Sequence, residues 1–174
     1  MTEPGLLGDM PGLFYLYAHY SYSTHNYGVQ KGYTMQTFLV HKDPYMSAQL
    51  LDPKRRFSQI YEGIHILASL TQTTHLLVNP KRSVVNHPVA KLWSPYPGAL
   101  LHYCISHYAV WREMYPMSPS INAENLDMLS EHIVADITMP QPLTDLIPYY
   151  QQLLYTKDPV FYRRWEKVLP REVV

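Results

Sequence analysis

Residues 51–70, LDPKRRFSQIYEGIHILASL, constrain the fold more than any other stretch of the sequence. The stretch opens with a turn signal and three cations, and its apolar residues then recur at the i, i+3, i+4, i+7 spacing of one helix face. These residues are Phe57, Ile60, Tyr61, Ile64, Leu67 and Ala68. An apolar face of this length must pack against other apolar surface, so we expect a helix inside a folded domain.

Shorter helical patterns accompany this one along most of the chain. Prolines mark several breaks, and Pro95 and Pro97 end one helix before the next begins. A loop is expected at 71–86 and an extended piece at 35–44. The predicted helices span residues 44–52, 54–70, 88–94, 98–114, 121–137, 142–156 and 158–166. The sequence therefore predicts a mainly α, compact, single-domain fold.

The first 33 residues differ in composition from the rest. Gly, Pro, Ser, Thr and Tyr dominate them, and they lack a sustained helical period. The alternating segment YLYAHYSYS favours an edge strand, and a packed irregular arm fits the composition equally well. We therefore predict a Tyr-rich N-terminal arm, residues 1–33, ahead of a helical domain, residues 34–174.

Composition limits the classes of function. Lys plus Arg and Asp plus Glu both number 14, so a nucleic-acid partner requires a local basic patch. Cys104 is the single cysteine, which excludes an intramolecular disulfide and favours a small buried helix residue. The 9 histidines show no HExxH-like spacing and no Gly-rich phosphate loop occurs, so we predict no metal and no cofactor. The sequence has no membrane-spanning run and no secretory pattern, and we expect a cytoplasmic protein.

Glu62 lies in the middle of the predicted helix at 54–70, without an acidic neighbour. At about 100° per residue, Arg55, Gln59 and Glu62 fall within about 60° of one another, opposite the apolar face. One interpretation is an ordinary solvated helix face. The other is a carboxylate held by Arg55 and directed at an anionic substrate that Lys54 and Arg56 attract. Spacing alone does not choose between them.

Two further segments combine cations, aromatic rings and helix starts. Asn86-His87-Pro88 follows the loop cations Lys81 and Arg82, a pattern typical of a helix cap or of a phosphate-binding helix start. Residues 156–168, TKDPVFYRRWEKV, interleave aromatic and basic side chains. That pattern suits nucleic-acid contact, and it equally suits a C-terminal helix docked on the core with a basic outer face.

Four blocks occur in a fixed order: MQTFL from residue 35, LDPKRRFSQIYEGIHIL from 51, NHPVAKLW from 86 and KDPVFY from 157. In this combination the sequence resembles the pyrimidine-dimer DNA glycosylase family, of the phage endonuclease V type. The resemblance implies a compact all-helical fold that flips a nucleotide, cleaves its glycosidic bond and nicks the strand by β-elimination as an AP lyase. In the family, the α-amine of the N-terminus is the nucleophile and a helix Glu is the acid/base.

The resemblance implies site residues by their place in these blocks. Glu62 corresponds to the acid/base Glu, and Arg55 on the same helix corresponds to a residue that holds phosphate and base. DNA is the implied partner. The implied DNA-binding residues, with the two loop cations added, are Lys54, Gln59, Lys81, Arg82, Asn86, His87, Trp93, Lys157 and Tyr162.

The sequence departs from the family pattern at three places. Relatives typically carry Gly-Lys-Gln-Arg where residues 57–60 read FSQI, and His-Arg-Ser where residues 149–151 read YYQ. The family-like N-terminus falls at Met35, and the 34 residues before it place its nitrogen in a peptide bond. An amine would then come from the folded-back chain terminus, from processing or initiation at Met35, or from a lysine. Water activated by Glu62 is the remaining route.

The sequence supports two functions. In the first, the chain is a DNA glycosylase-like protein that acts on or binds damaged or modified bases by base flipping, with Glu62 as acid/base. In the alternative, it is a catalytically inactive, family-derived binding or structural module. Residues 1–33 would then join a protein partner or a second copy of the chain. The block resemblance favours the first, and the lost cations with the balanced net charge favour the second.

Overall fold

A computed structural model describes residues 37–117, 121–133 and 136–167, and most of these residues are helical. The helices are α1 Pro44–Leu50, α2 Pro53–Leu70, α3 Pro88–Trp93, α4 Pro97–Met114, α5 Ile121–Glu131, α6 Gln141–Thr144, α7 Ile147–Lys157 and α8 Pro159–Tyr162. Two 3-10 segments, Thr74–Leu76 and Arg163–Lys167, complete the regular structure. No strand occurs in the described residues, which confirms the predicted mainly α fold. The predicted arm and its edge strand lie outside the described residues.

Most of these helices begin with proline. Pro44, Pro53, Pro88, Pro97 and Pro159 are the first residues of their helices, where the missing N–H group costs no hydrogen bond. The residue before the proline caps the helix at four of these starts, because its side chain accepts a backbone N–H from the first turn. Those capping residues are Asp43, Asp52, His87 and Asp158.

Helix boundaries after residue 117 differ from the predictions. The helix expected at 121–137 ends at Glu131, and the one expected at 142–156 is split into α6 and α7. Pro148 explains the split, because it lies in the first turn of α7 and has no N–H for a helix continuing from α6. The last predicted helix is the short α8, which continues as a 3-10 segment.

The main core forms where α2 packs against α4. Gly63 of α2 lies directly opposite Cys104 of α4, and a Cβ atom at position 63 would overlap the Cys104 Sγ. The missing side chain therefore allows the two backbones to approach closely. Cys104 is fully buried and free, which confirms the expectation of a small buried helix residue. The other large side chains of this core include Ile60, Ile64, Leu67, Trp93, Leu100, Tyr103, Leu129 and Leu143.

A second apolar cluster joins the start of the described chain to its end. The buried members of this cluster are Phe38, Val40, Leu50, Leu51, Tyr150, Leu154, Tyr162 and Trp165. Arg164 and Trp165 both donate hydrogen bonds to the Leu50 carbonyl at the end of α1, each at 3.2 Å. The residues after α7 are thus docked on the junction between α1 and α2, which was one of the two interpretations of residues 156–168.

Arg56 corrects an expectation from the sequence. In one of the two interpretations of this helix its side chain helps to attract an anionic substrate, but the residue is only 2% exposed. The guanidinium instead donates to carbonyls at the end of α1, including those of Gln49 at 3.1 Å and Leu51 at 2.7 Å. These carbonyls have no partner within α1, so Arg56 stabilises the C-terminus of that helix.

Candidate active site

Glu62 is partly exposed on α2, and the turn before it is fixed by Gln59. The Gln59 Oε1 atom accepts hydrogen bonds from the Phe38 N–H and the Tyr103 hydroxyl, both at 2.7 Å. Gln59 is 1% exposed, so the interpretation of Arg55, Gln59 and Glu62 as an ordinary solvated face is wrong at its centre. Burial raises the pKa of Tyr103, and the nearby charge of Glu62 acts in the same direction.

Residues 37–40, called here the anchored segment, lie along this part of α2. The Trp93 indole donates to the Thr37 hydroxyl at 2.9 Å, and the Gln151 amide donates to the Val40 carbonyl at 2.8 Å. Ser47 accepts the Val40 N–H at 2.9 Å. With the Gln59 contact, the backbone of the anchored segment is held by side chains from α1, α2, α3 and α7. The position of the anchored segment is therefore fixed by these hydrogen bonds, and its contact with Gln59 lies one helical turn from Glu62.

Arg55 is held by an ion pair at the start of α2. Its guanidinium lies 2.6 Å from the Asp52 Oδ2 atom, and its backbone N–H donates to Oδ1 at 3.0 Å. The Tyr162 hydroxyl donates to the same Oδ2 atom at 2.6 Å. Burial disfavours the Asp52 carboxylate, but the hydrogen bonds from Tyr162 and Arg55 outweigh it and lower the Asp52 pKa. The carboxylate is therefore ionised and oriented by three donors.

Lys81 contacts α2 beside Glu62. Its Nζ atom lies 4.7 Å from the centroid of the Tyr61 ring, within the range of a cation–π contact. The Tyr61 ring meets the His65 ring edge-on, with centroids 4.5 Å apart. Burial and the charge of Lys81 lower the His65 pKa to about 4, so this imidazole is neutral near pH 7. The loop at 71–86 thus brings the positive charge of Lys81 against Tyr61, the residue before Glu62.

The remaining predicted cations come from several elements of the fold. Lys157, at the end of α7, places its Nζ atom 5.3 Å from the Phe38 ring of the anchored segment. Lys54 is exposed in the first turn of α2, and Arg82 is exposed in the loop beside Lys81. The fold therefore brings Lys81 and Lys157, which are far apart in sequence, to α2 and to the segment anchored on it.

The NHP block forms a helix start. His87 Nδ1 accepts the Val89 N–H at 3.2 Å and caps α3, while Asn86 is exposed in the preceding turn. Trp93 and Tyr162 are 1% and 0% exposed, and both use their polar atoms within the protein. The structure gives these two residues packing and hydrogen-bonding roles. Their assignment as DNA contacts stays a prediction.

Part of this geometry lies in a stretch of the chain that matches a known protein family. Residues 35–117 match the model of the pyrimidine dimer DNA glycosylase family. The resemblance inferred from the sequence is thereby confirmed over this span. No curated protein and no solved structure is significantly similar to the chain.

The glycosylase family match covers the central part of the site. It begins at Met35, the position expected to correspond to the family N-terminus, and it includes α2 with Glu62 as well as the NHP block. It ends before α7 and α8, so the KDPVFY block lies outside it. The family acts on DNA, and the match supports a DNA glycosylase-like function with DNA as the binding partner.

The two residues that replace the cations of the family pattern have structural roles in α2. Ile60, which replaces the basic residue after Gln59, is 0% exposed and belongs to the main core. Ser58, which replaces the one before it, bonds its own helix through the Lys54 carbonyl at 3.1 Å. Neither position therefore offers a positive charge to DNA, and any charge near Glu62 must come from other residues.

Asp52, Tyr103 and Thr37 belong to the site and were missed in the sequence. Asp52 had a usable signal, because Asp followed by Pro is a common helix start. Tyr103 and Thr37 had none, because their partners lie 44 and 56 residues away and are brought together only by helix packing. Pairwise spacing on a single helix does not contain that information.

The described segments contain neither a membrane-spanning helix nor a cluster of metal ligands. None of the helices in these segments combines the length and the apolar character needed to cross a lipid bilayer. Within the same residues, no group of three or more His, Cys, Asp and Glu side chains is arranged to hold a metal ion.

Proposed function

We propose that this chain is a DNA glycosylase and AP lyase that flips a damaged nucleotide and uses Glu62 as acid/base. One observation carries the proposal: the anchored segment is hydrogen bonded to Gln59, one helical turn before Glu62. The family match begins two residues before that segment. The chain start that the family uses as nucleophile therefore corresponds to the part of this chain that leads into the turn before Glu62.

The nucleophile that we propose is the α-amine of a chain that begins at Met35. Consecutive Cα atoms are 3.8 Å apart, so this amine would lie within about 9 Å of the Thr37 Cα. An α-amine with a pKa near about 8 is partly neutral at physiological pH and can attack C1′ of a deoxyribose. The amide nitrogen of Met35 in the full-length chain cannot, so processing or initiation at Met35 would activate the enzyme.

The proposed reaction has two stages. The amine forms a bond to C1′ as the bond between C1′ and the base breaks, and the base leaves with a proton. The C1′–O4′ bond then breaks as the nitrogen forms a double bond to C1′, and the remaining proton of the amine passes to O4′, which opens the sugar ring and gives a Schiff base. Glu62 removes a proton from C2′, and the bond between C3′ and its phosphate oxygen breaks with that phosphate as leaving group.

Positive charge for the DNA backbone would come from several elements. Arg55 and Lys54 lie at the start of α2, Lys81 contacts Tyr61, and Lys157 contacts Phe38. Phosphate contacts of this kind supply most of the affinity of a sequence-independent DNA-binding protein. A local arrangement is sufficient here, since the net charge of the chain is zero.

Borohydride trapping tests the proposal. The full-length chain, a chain starting at Met35 and its Glu62→Gln variant are incubated with duplexes that carry a thymine dimer or an abasic site. We expect the Met35 chain to give a covalent adduct and a nicked strand, and the full-length chain to give neither. Glu62→Gln should reduce strand cleavage by about 100-fold or more, the usual range for a general acid or base.

Glu131→Gln, at an exposed position at the end of α5, is the matched control and should behave like the parent chain. If none of the chains gives an adduct or a nick, the lyase mechanism is wrong, and retained DNA binding would then favour the inactive binding module. An adduct with the full-length chain that maps to a lysine peptide would contradict activation at Met35.

A further inference from the structure

The carboxylate of Asp52 joins two blocks that are far apart in sequence. Its Oδ2 atom receives both the Arg55 guanidinium and the Tyr162 hydroxyl, each at 2.6 Å, although Tyr162 lies 110 residues further along the chain. We propose that Asp52 and Tyr162 are positioning residues that hold the Arg55 guanidinium for a phosphate of bound DNA. This inference rests on the proposed function and assigns a task to the KDPVFY block.

Arg55 retains the capacity to bind a phosphate while it is paired. A guanidinium has five N–H donors, and the Asp52 contact uses one of them. The Arg55 side chain is 24% exposed, so part of it reaches solvent. A guanidinium whose orientation is already fixed loses less conformational entropy when it binds a phosphate than a mobile one does.

Tyr162 is placed to control the orientation of Asp52. The residue is 0% exposed, and its ring packs in the second apolar cluster, 4.4 Å between centroids from Trp165. Its hydroxyl also accepts the Asp52 N–H at 3.4 Å, so the phenol contacts both the backbone and the side chain of Asp52. The Arg55 guanidinium carbon lies 5.7 Å from the centre of the same ring. Arg55 is thus held by a carboxylate and an aromatic face, both fixed by the docked C-terminal segment.

Helix capping alone does not account for this arrangement. The cap at the start of α2 is the contact between Asp52 Oδ1 and the Arg55 N–H. It uses neither the Tyr162 hydroxyl nor the Arg55 guanidinium, both of which contact Oδ2. Asn is as good a capping residue as Asp, so Asp52→Asn keeps the cap and removes the ion pair. The capping and positioning contributions are therefore separable.

The test measures DNA binding rather than catalysis. The full-length chain and its variants are titrated by fluorescence anisotropy into a duplex that carries a tetrahydrofuran abasic-site analogue, at several salt concentrations. We expect Tyr162→Phe and Asp52→Asn each to weaken binding roughly three- to tenfold, the range for loss of one oriented charge-assisted contact. Both should also make the negative slope of log K against log salt less steep, close to the slope measured for Arg55→Ala, because a phosphate contact is lost.

A double-mutant cycle distinguishes positioning from a structural effect. If Tyr162 acts through Arg55, Tyr162→Phe has no further effect on DNA binding in an Arg55→Ala background. Tyr45→Phe is the matched control, because it removes a hydroxyl that contacts Glu113 at 2.7 Å between α1 and α4. That variant should bind DNA like the parent chain.

The contrary outcomes are distinct. If Arg55→Ala weakens binding but Tyr162→Phe and Asp52→Asn do not, or if the effects of Tyr162→Phe and Arg55→Ala simply add, the positioning inference is wrong and the proposed function stands. If neither the full-length chain nor a chain starting at Met35 binds the abasic duplex or one with a thymine dimer, the proposed function itself is overturned, and this inference with it.

Discussion

His107 shows how burial sets the protonation of a single side chain. The residue is 0% exposed, its Nδ1 atom lies 2.8 Å from the Tyr103 carbonyl, and its Nε2 atom has no hydrogen-bond partner among the described residues. Burial, assisted by the charge of Arg56, lowers the His107 pKa to about 3 against a weaker opposing effect of the Tyr103 hydrogen bond. The imidazole is therefore neutral in the folded protein, with the Nδ1–H donating to the carbonyl.

This neutral histidine predicts a loss of stability in acid. Between the unfolded-state pKa of about 6.5 and the folded-state value of about 3, the unfolded chain binds a proton at His107 that the folded chain does not. The free energy of unfolding should therefore fall as pH falls through this window, by up to about 1.4 kcal/mol per pH unit for this group. His65, with its pKa lowered to about 4, acts in the same direction.

Urea unfolding at a series of pH values measures the effect. His107→Gln should make the slope between pH about 6 and 4 shallower, because one proton-linked group is removed. His75→Gln, at an exposed position in the 3-10 segment, is the control. An unchanged slope in His107→Gln would mean that this imidazole is charged in the folded state.

At the residue scale, the sequence predicted some placements better than others. The partly exposed position of Glu62 and the proximity of Arg55 to the start of α2 followed from helix geometry. Gln59 was predicted to lie opposite the buried face of α2. It is buried because the anchored segment covers it, and a helical wheel contains no information about that segment. Arg56 was misassigned for a similar reason, since its partners are carbonyls of the preceding helix.

The contact between α2 and α4 is the central packing interaction at the element scale. Gly63→Ala illustrates a competition between two effects. Helix propensity favours alanine by about 0.5–1 kcal/mol, whereas overpacking a full core costs about 1–3 kcal/mol. The new Cβ would overlap the Cys104 Sγ, a buried atom with little room to move, so we expect a net destabilisation of about 1–2 kcal/mol.

Chemical denaturation of Gly63→Ala, Cys104→Ala and the double variant checks this prediction. The double variant should be more stable than the sum of the single effects implies, because removal of the Cys104 Sγ makes room for the new methyl group. A Gly63→Ala variant more stable than the parent would show that propensity outweighs the steric contact and that α2 and α4 can move apart at low cost.

The sequence predicted the elements well where a capping residue and proline mark a helix start. The starts at Pro44, Pro53 and Pro159 each follow an aspartate that caps the helix. The break between α6 and α7 was not predicted, because the apolar pattern continues across Pro148 and conceals the steric effect of that proline. The early end of α5 has no comparable signal in the sequence.

At the scale of the whole molecule, the fold extends beyond the family match. The main core draws Leu126, Leu129, Leu143 and Ile147 from residues after 117, and the second cluster needs Tyr150, Leu154, Tyr162 and Trp165. A chain of residues 35–117 would expose all of their contact surfaces. We predict that it lacks a cooperative unfolding transition, since a domain that loses four buried residues from each cluster cannot offset the conformational entropy of folding.

Near-UV circular dichroism and thermal denaturation of residues 35–117 and 35–167 would measure this difference. The longer chain contains both clusters and should unfold cooperatively. A cooperative transition in the shorter chain would contradict the prediction and would identify residues 35–117 as an independent folding unit.

The anchored segment also has a consequence for the order of events during synthesis. Residues 37–40 leave the ribosome early, but the Gln151 amide that binds the Val40 carbonyl is encoded 111 residues later. At about 5–20 residues per second, the segment waits about 5–20 s for this partner. During that interval Phe38 and Val40, which are buried in the finished protein, face solvent or other chains. The residues nearest the proposed nucleophile therefore complete their contacts only after most of the domain has been synthesised.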